Sequence, residues 1–381
     1  MVQVRRNIKS LINRWLFRSK VILLYGPRQV GKTTLSRDLL KEHATTKAYY
    51  NCEINSVKSL LSTKEPTLYR KEFGNYKMVV FDEAQHVPEI GLILKIIIDH
   101  LPDLQIVATG SSSFELAEKT SEPLTGRALT FYLFPFSYNE LGQLYKPSER
   151  NAQLHHYLCY GLYPEIVMSP KEDARFLLDE LSSRYLYKDI FMFENIRKSD
   201  VVHKLLQLLA FQIGQEVSYH ELSNTLKVNQ RTVERYIDLL EKAFVIFTLT
   251  AFSRNLRKEI SKKRKIYFYD VGIRNSIIQQ YHSIDMRMDN EKGALWENFI
   301  IVERLKFLQS NMLQPKLYFW RTHDQQEIDF IEEMDGRLVG YEFKWQSKKK
   351  RKKPQIFLDT YPNSEIHFVD TDNFESFIEG E

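Results

Sequence analysis

The segment from Val21 to Thr34 constrains the chain more than any other. An apolar run, Val21–Tyr25, leads directly into Gly26, Pro27, Arg28, Gln29, Val30, Gly31, Lys32 and Thr33, and a helical pattern, Lys32–His43, follows at once. Gly-x4-Gly-Lys-[Ser/Thr] between a buried strand and a helix is a phosphate-binding loop. The glycines allow backbone N–H groups to curl around phosphate oxygens, and the helix N-terminus adds a favourable dipole. Lys32 is placed to reach the β- and γ-phosphates and Thr33 to ligate Mg²⁺, with Thr34 closing the loop. ATP and Mg²⁺ are therefore the expected ligands.

A second motif supports the first. Met78, Val79, Val80 and Phe81 deliver Asp82 and Glu83 to the end of an apolar strand. Asp82 suits the Mg²⁺ shell and Glu83 a general base for water. Short apolar runs at 47–51, 78–81 and 104–109 alternate with helical patterns at 32–43 and 88–101, as a parallel sheet requires. The 104–109 run ends in Thr109-Gly110-Ser111-Ser112-Ser113, where a hydroxyl could sense phosphate; a helix cap is the plainer alternative. Arg127 is a candidate to reach phosphate in its own subunit or from a neighbour, and a surface ion pair is the alternative.

Downstream, 219–226 and 230–243 read as helix–turn–helix, with Asn229 as N-cap. Val233, Ile237 and Leu240 repeat at helical spacing and should face a core. Arg231 and Arg235 then point outward, able to meet phosphates. Strands at 244–250 and 266–269 flank the basic 254–265 segment, an expected wing. Six consecutive basic residues, including Lys348, Lys349, Lys350 and Arg351, and the four at 262–265 can attract nucleic acid, or simply be solvated.

Near the C-terminus, Asp335-Gly336 between alternating runs signals a two-residue hairpin. With those residues as the loop, Asp329 lies opposite Glu342, and Glu327 opposite Lys344. Strict alternation puts Ile328, Phe330, Val339, Tyr341, Phe343 and Trp345 on the other, apolar face. Two opposed carboxylates repel unless a cation lies between them. Asp329 and Glu342 are thus candidate Mg²⁺ ligands, with Lys344 beside them and Glu297 as a further acid from a helix. A solvated face with salt bridges is the alternative.

The first half, through these loops and Leu124-Thr125-Gly126-Arg127, resembles bacterial and archaeal P-loop ATPases of the AAA-like superfamily. The second half, through Tyr163-Pro164-Glu165, Tyr269-Asp270-Val271-Gly272 and Glu297-Asn298-Phe299, resembles an uncharacterised module that commonly follows them. Its end is similar to the PD-(D/E)XK nuclease fold. That resemblance places Asp329, Glu342 and Lys344 in the acid, acid and lysine positions and Glu297 as the helical acid. The proline often found before the first acid is replaced by Ile328.

The expected fold is α/β: a P-loop NTPase parallel sheet (1–145), a helical connector (146–210), a winged-helix region (211–265) and an α/β nuclease-like domain (266–381). The function this implies is an ATPase coupled to a DNA-binding, nuclease-like half. The alternative is a nucleotide-dependent signalling switch whose C-terminal half is a protein-interaction scaffold. DNA and a protein are the partners these readings name, and a homo-oligomer is compatible with both. No apolar run approaches the ~18 residues of a membrane span. With only two cysteines, Cys52 and Cys159, a disulfide framework is not expected, and the chain reads as cytoplasmic.

Overall fold

The computed structural model describes residues 4–111, 124–183, 199–253, 264–322, 326–346 and 353–380. They divide into two compact units, residues 1–136 with 242–244, and 137–241 with 245–381.

The first unit is built on five strands: β1 (Val21–Tyr25), β2 (Lys47–Asn51), β3 (Met78–Asp82), β4 (Gln105–Gly110) and β5 (Ala128–Tyr132). Their order is β2-β3-β4-β1-β5, and every pairing is parallel. The three inner strands are buried at every residue, which explains why they read as unbroken apolar runs. β5, at an edge and partly exposed, carries Thr and Tyr among its apolar residues and was not apparent as a strand. Helix α1 (Lys32–His43) leaves the end of β1, and α2 (Ile90–His100) precedes β4.

The second unit carries a mixed seven-stranded sheet. Its strands are β6 (Glu216–Val217), β7 (Ile246–Ala251), β8 (Arg264–Phe268), β9 (Lys316–Arg321), β10 (Glu327–Met334), β11 (Arg337–Phe343) and β12 (Ser364–Val369). The order is β12-β11-β10-β9-β7-β8-β6. Helices α3 (Ser199–Phe211), α4 (Tyr219–Leu226) and α5 (Gln230–Lys242) accompany its first three strands, and α6 (Asp289–Ser310) and α7 (Phe374–Glu379) its last four. The chain is thus α/β, with a parallel sheet, then helices, then a mixed sheet.

The expected boundary at 265/266 falls inside β8. That strand pairs with both β6 and β7, and β7 pairs in turn with β9, so one sheet runs across the boundary. The other expected break, at 145/146, lies nine residues beyond the end of the first unit's main segment at 136.

The hairpin register is the one expected: Phe330 faces Tyr341 and Met334 faces Arg337. Asp335 and Gly336 have φ of 53° and 78°, the left-handed pair that a type I′ turn needs. The expected faces need one correction. Ile328 opposes Trp320, yet Ile331 opposes Tyr318, so Asp329 and Phe330 together stand against Phe319. This bulge shifts the alternation by one residue. Ile328 therefore packs with Ile331, Leu338 and Trp320, while Phe330 lies on the other side beside Tyr341 and Phe343. Both faces of the hairpin are covered, not one.

Candidate nucleotide site and carboxylate cluster

The phosphate loop starts where β1 ends. Gly26 sits at φ 152°, and a Cβ there would collide with the Leu133 carbonyl oxygen, so no other residue fits. Gln29 and Gly31 are also left-handed, at 61° and 97°. Arg6, upstream of all these elements and buried, anchors the loop from below. Its guanidinium donates to the Val30 carbonyl at 2.7 Å and to the Phe134 carbonyl at 2.6 Å. The sequence carries no local signal for that role. The Lys32 ammonium donates to the Gly26 and Pro27 carbonyls at 2.9 and 2.7 Å, so it lies across the loop mouth. Pro27 and Val30 are buried, Arg28 is half-buried, and Gln29 and Thr34 are exposed.

Asp82 is the hub of the site. Its carboxylate is buried and accepts hydrogen bonds from Thr33 of α1 at 2.8 Å, Tyr49 of β2 at 2.5 Å and Thr109 of β4 at 2.5 Å. Because β4 lies between β3 and β1, the hydroxyl at its tip falls between the carboxylate and the loop. Thr109 Oγ1 also accepts the Glu83 N–H at 3.0 Å. Glu83 itself is left-handed, at φ 53° and ψ 44°, a conformation that costs a non-glycine residue about 1–2 kcal/mol and is typical of functional positions. Its carboxylate receives the Gln85 amide at 2.5 Å, and the same nitrogen donates to Ser111 at 3.1 Å. Burial, with Asp82 and Glu83 nearby, pushes the Cys52 thiol up to about 12, which removes it as a nucleophile. Burial and the bond to Asp82 likewise push Tyr49 up to about 12.

The threonine, the two acids and the lysine of the motifs are thus brought together. Thr109, Tyr49 and Gln85 complete the array; only the hydroxyl-rich tip of β4 was apparent from sequence. Ser112 and Ser113 lie outside the described residues. Arg127 is not brought to the site. Its carbonyl accepts the Val21 N–H at 2.8 Å, at the start of β1, whereas the loop leaves from the other end. A five-residue strand spans about 16 Å. At that edge Arg127 pairs with Asp99 at 2.7 Å, both half-exposed.

In the second unit, Asn229 Oδ1 accepts the Arg231 N–H at 2.9 Å as a helix cap should. Val233, Ile237 and Leu240 are buried. Arg231 and Arg235 are exposed, in company with Glu234 and Asp238. Residues 254–263 of the expected wing, and Lys348, Lys349, Lys350 and Arg351, lie outside the described residues.

Lysines link the expected carboxylates. Lys344 Nζ stands 3.9 Å from both Asp329 and Glu342, and Glu297 of α6 shares Lys265 with Asp329. Lys265 was expected on the exposed basic segment, but it is 2% exposed. Alternation along β8 turns it inward, and its ammonium lies 3.1 Å from Glu297, 2.5 Å from Glu327 and 3.9 Å from Asp329. Tyr267, two residues on, donates to Glu297 at 2.6 Å. Burial alone would pull the lysine's pKa down, but Glu297, Asp329 and Glu327 outweigh it and raise it. Burial holds Glu297 above the ordinary carboxylate range, with Asp329 adding to the effect against the pull of Lys265. Among the described residues, no group of three or more His, Cys, Asp or Glu side chains is arranged to hold a metal ion. Nor, among them, is any helix long and apolar enough to cross a membrane.

Comparison with known proteins gives three family matches. Residues 18–142 match an AAA domain, residues 151–283 a domain of unknown function (DUF8612), and residues 292–379 a second (DUF4143). Among relatives, an uncharacterised protein of Mycobacterium tuberculosis is 28% identical over 345 residues, covering 90% of this chain and 74% of that protein. An uncharacterised protein of Methanocaldococcus jannaschii is 27% identical over 342 residues, covering 77% and 70%. Among solved structures, the Walker-type ATPase of Pyrococcus abyssi aligns with a TM-score of 0.48 at 18% identity, covering 72% of this chain and 96% of that one. The match over residues 18–142, with the phosphate loop and the parallel sheet, supports an AAA-like P-loop ATPase domain in the first unit.

Proposed function

We propose that the chain binds ATP with Mg²⁺ at residues 26–34, hydrolyses it, and uses the cycle to switch a nucleic-acid-engaging second unit. The observation that carries the first part is the bridge Thr33–Asp82–Thr109, with Glu83 beside it. Thr33 and Asp82 are the residues that would hold Mg²⁺, directly or through its waters, and the ion would screen the phosphate charge. The loop N–H groups and Lys32 bind and orient the phosphates. Thr109 and Tyr49 fix the Asp82 carboxylate. Glu83 takes the proton from the attacking water, and Gln85 holds that carboxylate in place. With Arg127 at the far edge of its own sheet, its role in hydrolysis is proposed in trans, in a homo-oligomer.

For the second unit, the order α3, β6, α4, α5, β7, β8, with sheet order β6-β8-β7, supports a winged-helix reading. Arg231 and Arg235 on α5 would then contact phosphates, together with the basic residues at 348–351. The mixed charge on α5 favours a second reading, a nucleotide-dependent switch that docks a protein.

One experiment separates these. Steady-state ATPase activity is measured for wild type, Lys32→Ala and Glu83→Gln, and duplex DNA affinity is measured across a salt series. Hydrolysis lost in both variants and a log–log salt slope near −0.9 per phosphate contacted, shallower in Arg231→Gln/Arg235→Gln, match the first reading. Hydrolysis with no salt-dependent DNA binding favours protein docking. Unchanged hydrolysis in Glu83→Gln sinks the assignment of the base.

A further inference from the structure

The carboxylate cluster of the second unit resembles a nuclease centre, and a nuclease centre calls for a divalent metal between Asp329 and Glu342. The side chains around it answer that call differently. We infer that Lys265 is the resident cation of this cluster, so that the second unit engages nucleic-acid phosphates without a divalent metal and does not cleave them.

The geometry is specific. The ammonium sits between three carboxylates from two elements, Glu297 on α6 and Glu327 and Asp329 on β10, with the Phe319 ring 5.5 Å away on another side. Several of their oxygens already have partners. Glu297 Oε1 is shared by Lys265 and the Tyr267 hydroxyl. Asp329 Oδ1 faces Lys265, while its Oδ2 accepts the Phe343 N–H at 2.8 Å. A Mg²⁺ ion takes about six oxygens at about 2.1 Å, and one placed among these would press against a buried ammonium. Lys344, half-exposed and 3.9 Å from both Asp329 and Glu342, is a second cation on the outward side. Two lysines, with Arg321 3.9 Å from Glu327, thus already offset most of the charge of Glu297, Glu327, Asp329 and Glu342. The bulge at Asp329 and Phe330 helps to aim the aspartate at this position. The cluster also ties α6 to β8 and β10, two strands of the sheet that crosses the expected domain boundary.

This inference rests on the nucleic-acid reading above, and the test separates the two. Mn²⁺ binding to the nucleotide-free full chain is titrated by electron paramagnetic resonance for wild type, Asp329→Asn, Lys265→Met and the double variant. Wild type and Asp329→Asn should be indistinguishable, with no Asp329-dependent site tighter than about 1 mM, the weak end for carboxylate sites. Lys265→Met should gain one saturable site at least tenfold tighter, lost again in the double variant. Saturable wild-type binding that disappears in Asp329→Asn overturns the inference, as does a folded Lys265→Met that gains nothing. If Lys265→Met does not fold, the comparison of wild type with Asp329→Asn decides alone. DNA affinity should change less than twofold between EDTA and Mn²⁺, with no cleavage in either. Absence of DNA binding would refute the nucleic-acid reading while leaving the Mn²⁺ result to stand on its own.

Discussion

Thr109→Val is the sharpest probe of the nucleotide site, because valine keeps the shape and removes one hydroxyl. Thr109 is fully buried, so water does not replace what is lost. Its hydroxyl makes a 2.5 Å bond to the Asp82 carboxylate and accepts the Glu83 N–H at 3.0 Å. A hydrogen bond to a charged group contributes about 1.5–3 kcal/mol, and a neutral one about 1 kcal/mol. The total at stake is therefore about 2–4 kcal/mol, divided between folding stability and alignment in the transition state. If half of it acts on the chemical step, kcat falls roughly 10-fold, and if nearly all does, roughly several hundred-fold. Stability of the variant by urea unfolding should fall by the remainder. Thr109→Ser, which keeps the hydroxyl, should recover most of the activity. Steady-state ATP hydrolysis and urea unfolding, measured on the same preparations, give both quantities. A Thr109→Val protein with wild-type kcat and wild-type stability would show that the hydroxyl bridges nothing of consequence, and the proposed hub at Asp82 would have to be abandoned.

Three further outcomes are expected. Gln85→Leu removes the amide that donates to the Glu83 carboxylate, so kcat should drop roughly 10-fold or more with ADP affinity nearly unchanged; equal loss of both would point to a merely structural glutamine. Gly26→Ala forces a Cβ onto the Leu133 carbonyl at φ 152° and should abolish nucleotide binding or folding, checked by ADP titration and thermal melting; normal binding would contradict the loop geometry. His156, held at about 4 by burial with a smaller push from Lys171, binds its proton more readily unfolded than folded. Stability should therefore fall as pH drops from about 6.5 to 4, and His156→Phe should flatten that slope in urea unfolding. An identical pH profile in the variant would refute the burial argument.

Much of the fold could be read directly. The inner strands of the first sheet are buried on both faces, so they stand out as apolar runs. The hairpin register follows from two residues, Asp335 and Gly336, whose left-handed backbone admits one short turn. The burial of Val233, Ile237 and Leu240 follows from helical periodicity alone. What escaped were features with no period: the edge strand β5, the bulge at Asp329 and Phe330, and the continuity of β8 across an assumed boundary.

The sequence by itself determined the phosphate loop, the Asp82–Glu83 strand end and the hairpin register that sets Phe330 against Tyr341. Each depends on contiguous residues whose spacing is set by strand or helix geometry. Only the tertiary structure decided what those groups meet. Lys265 looked like one more member of a basic run, yet it is inward-facing and paired with Glu297, 32 residues away. Arg127 could be read as a phosphate ligand or as a surface ion pair, and the parallel pairing of β1 and β5 puts it at the opposite end from its own loop, paired with Asp99. Charge interactions act through space and are strong where water is excluded, so a residue's neighbours in the chain do not reveal its electrostatic partners.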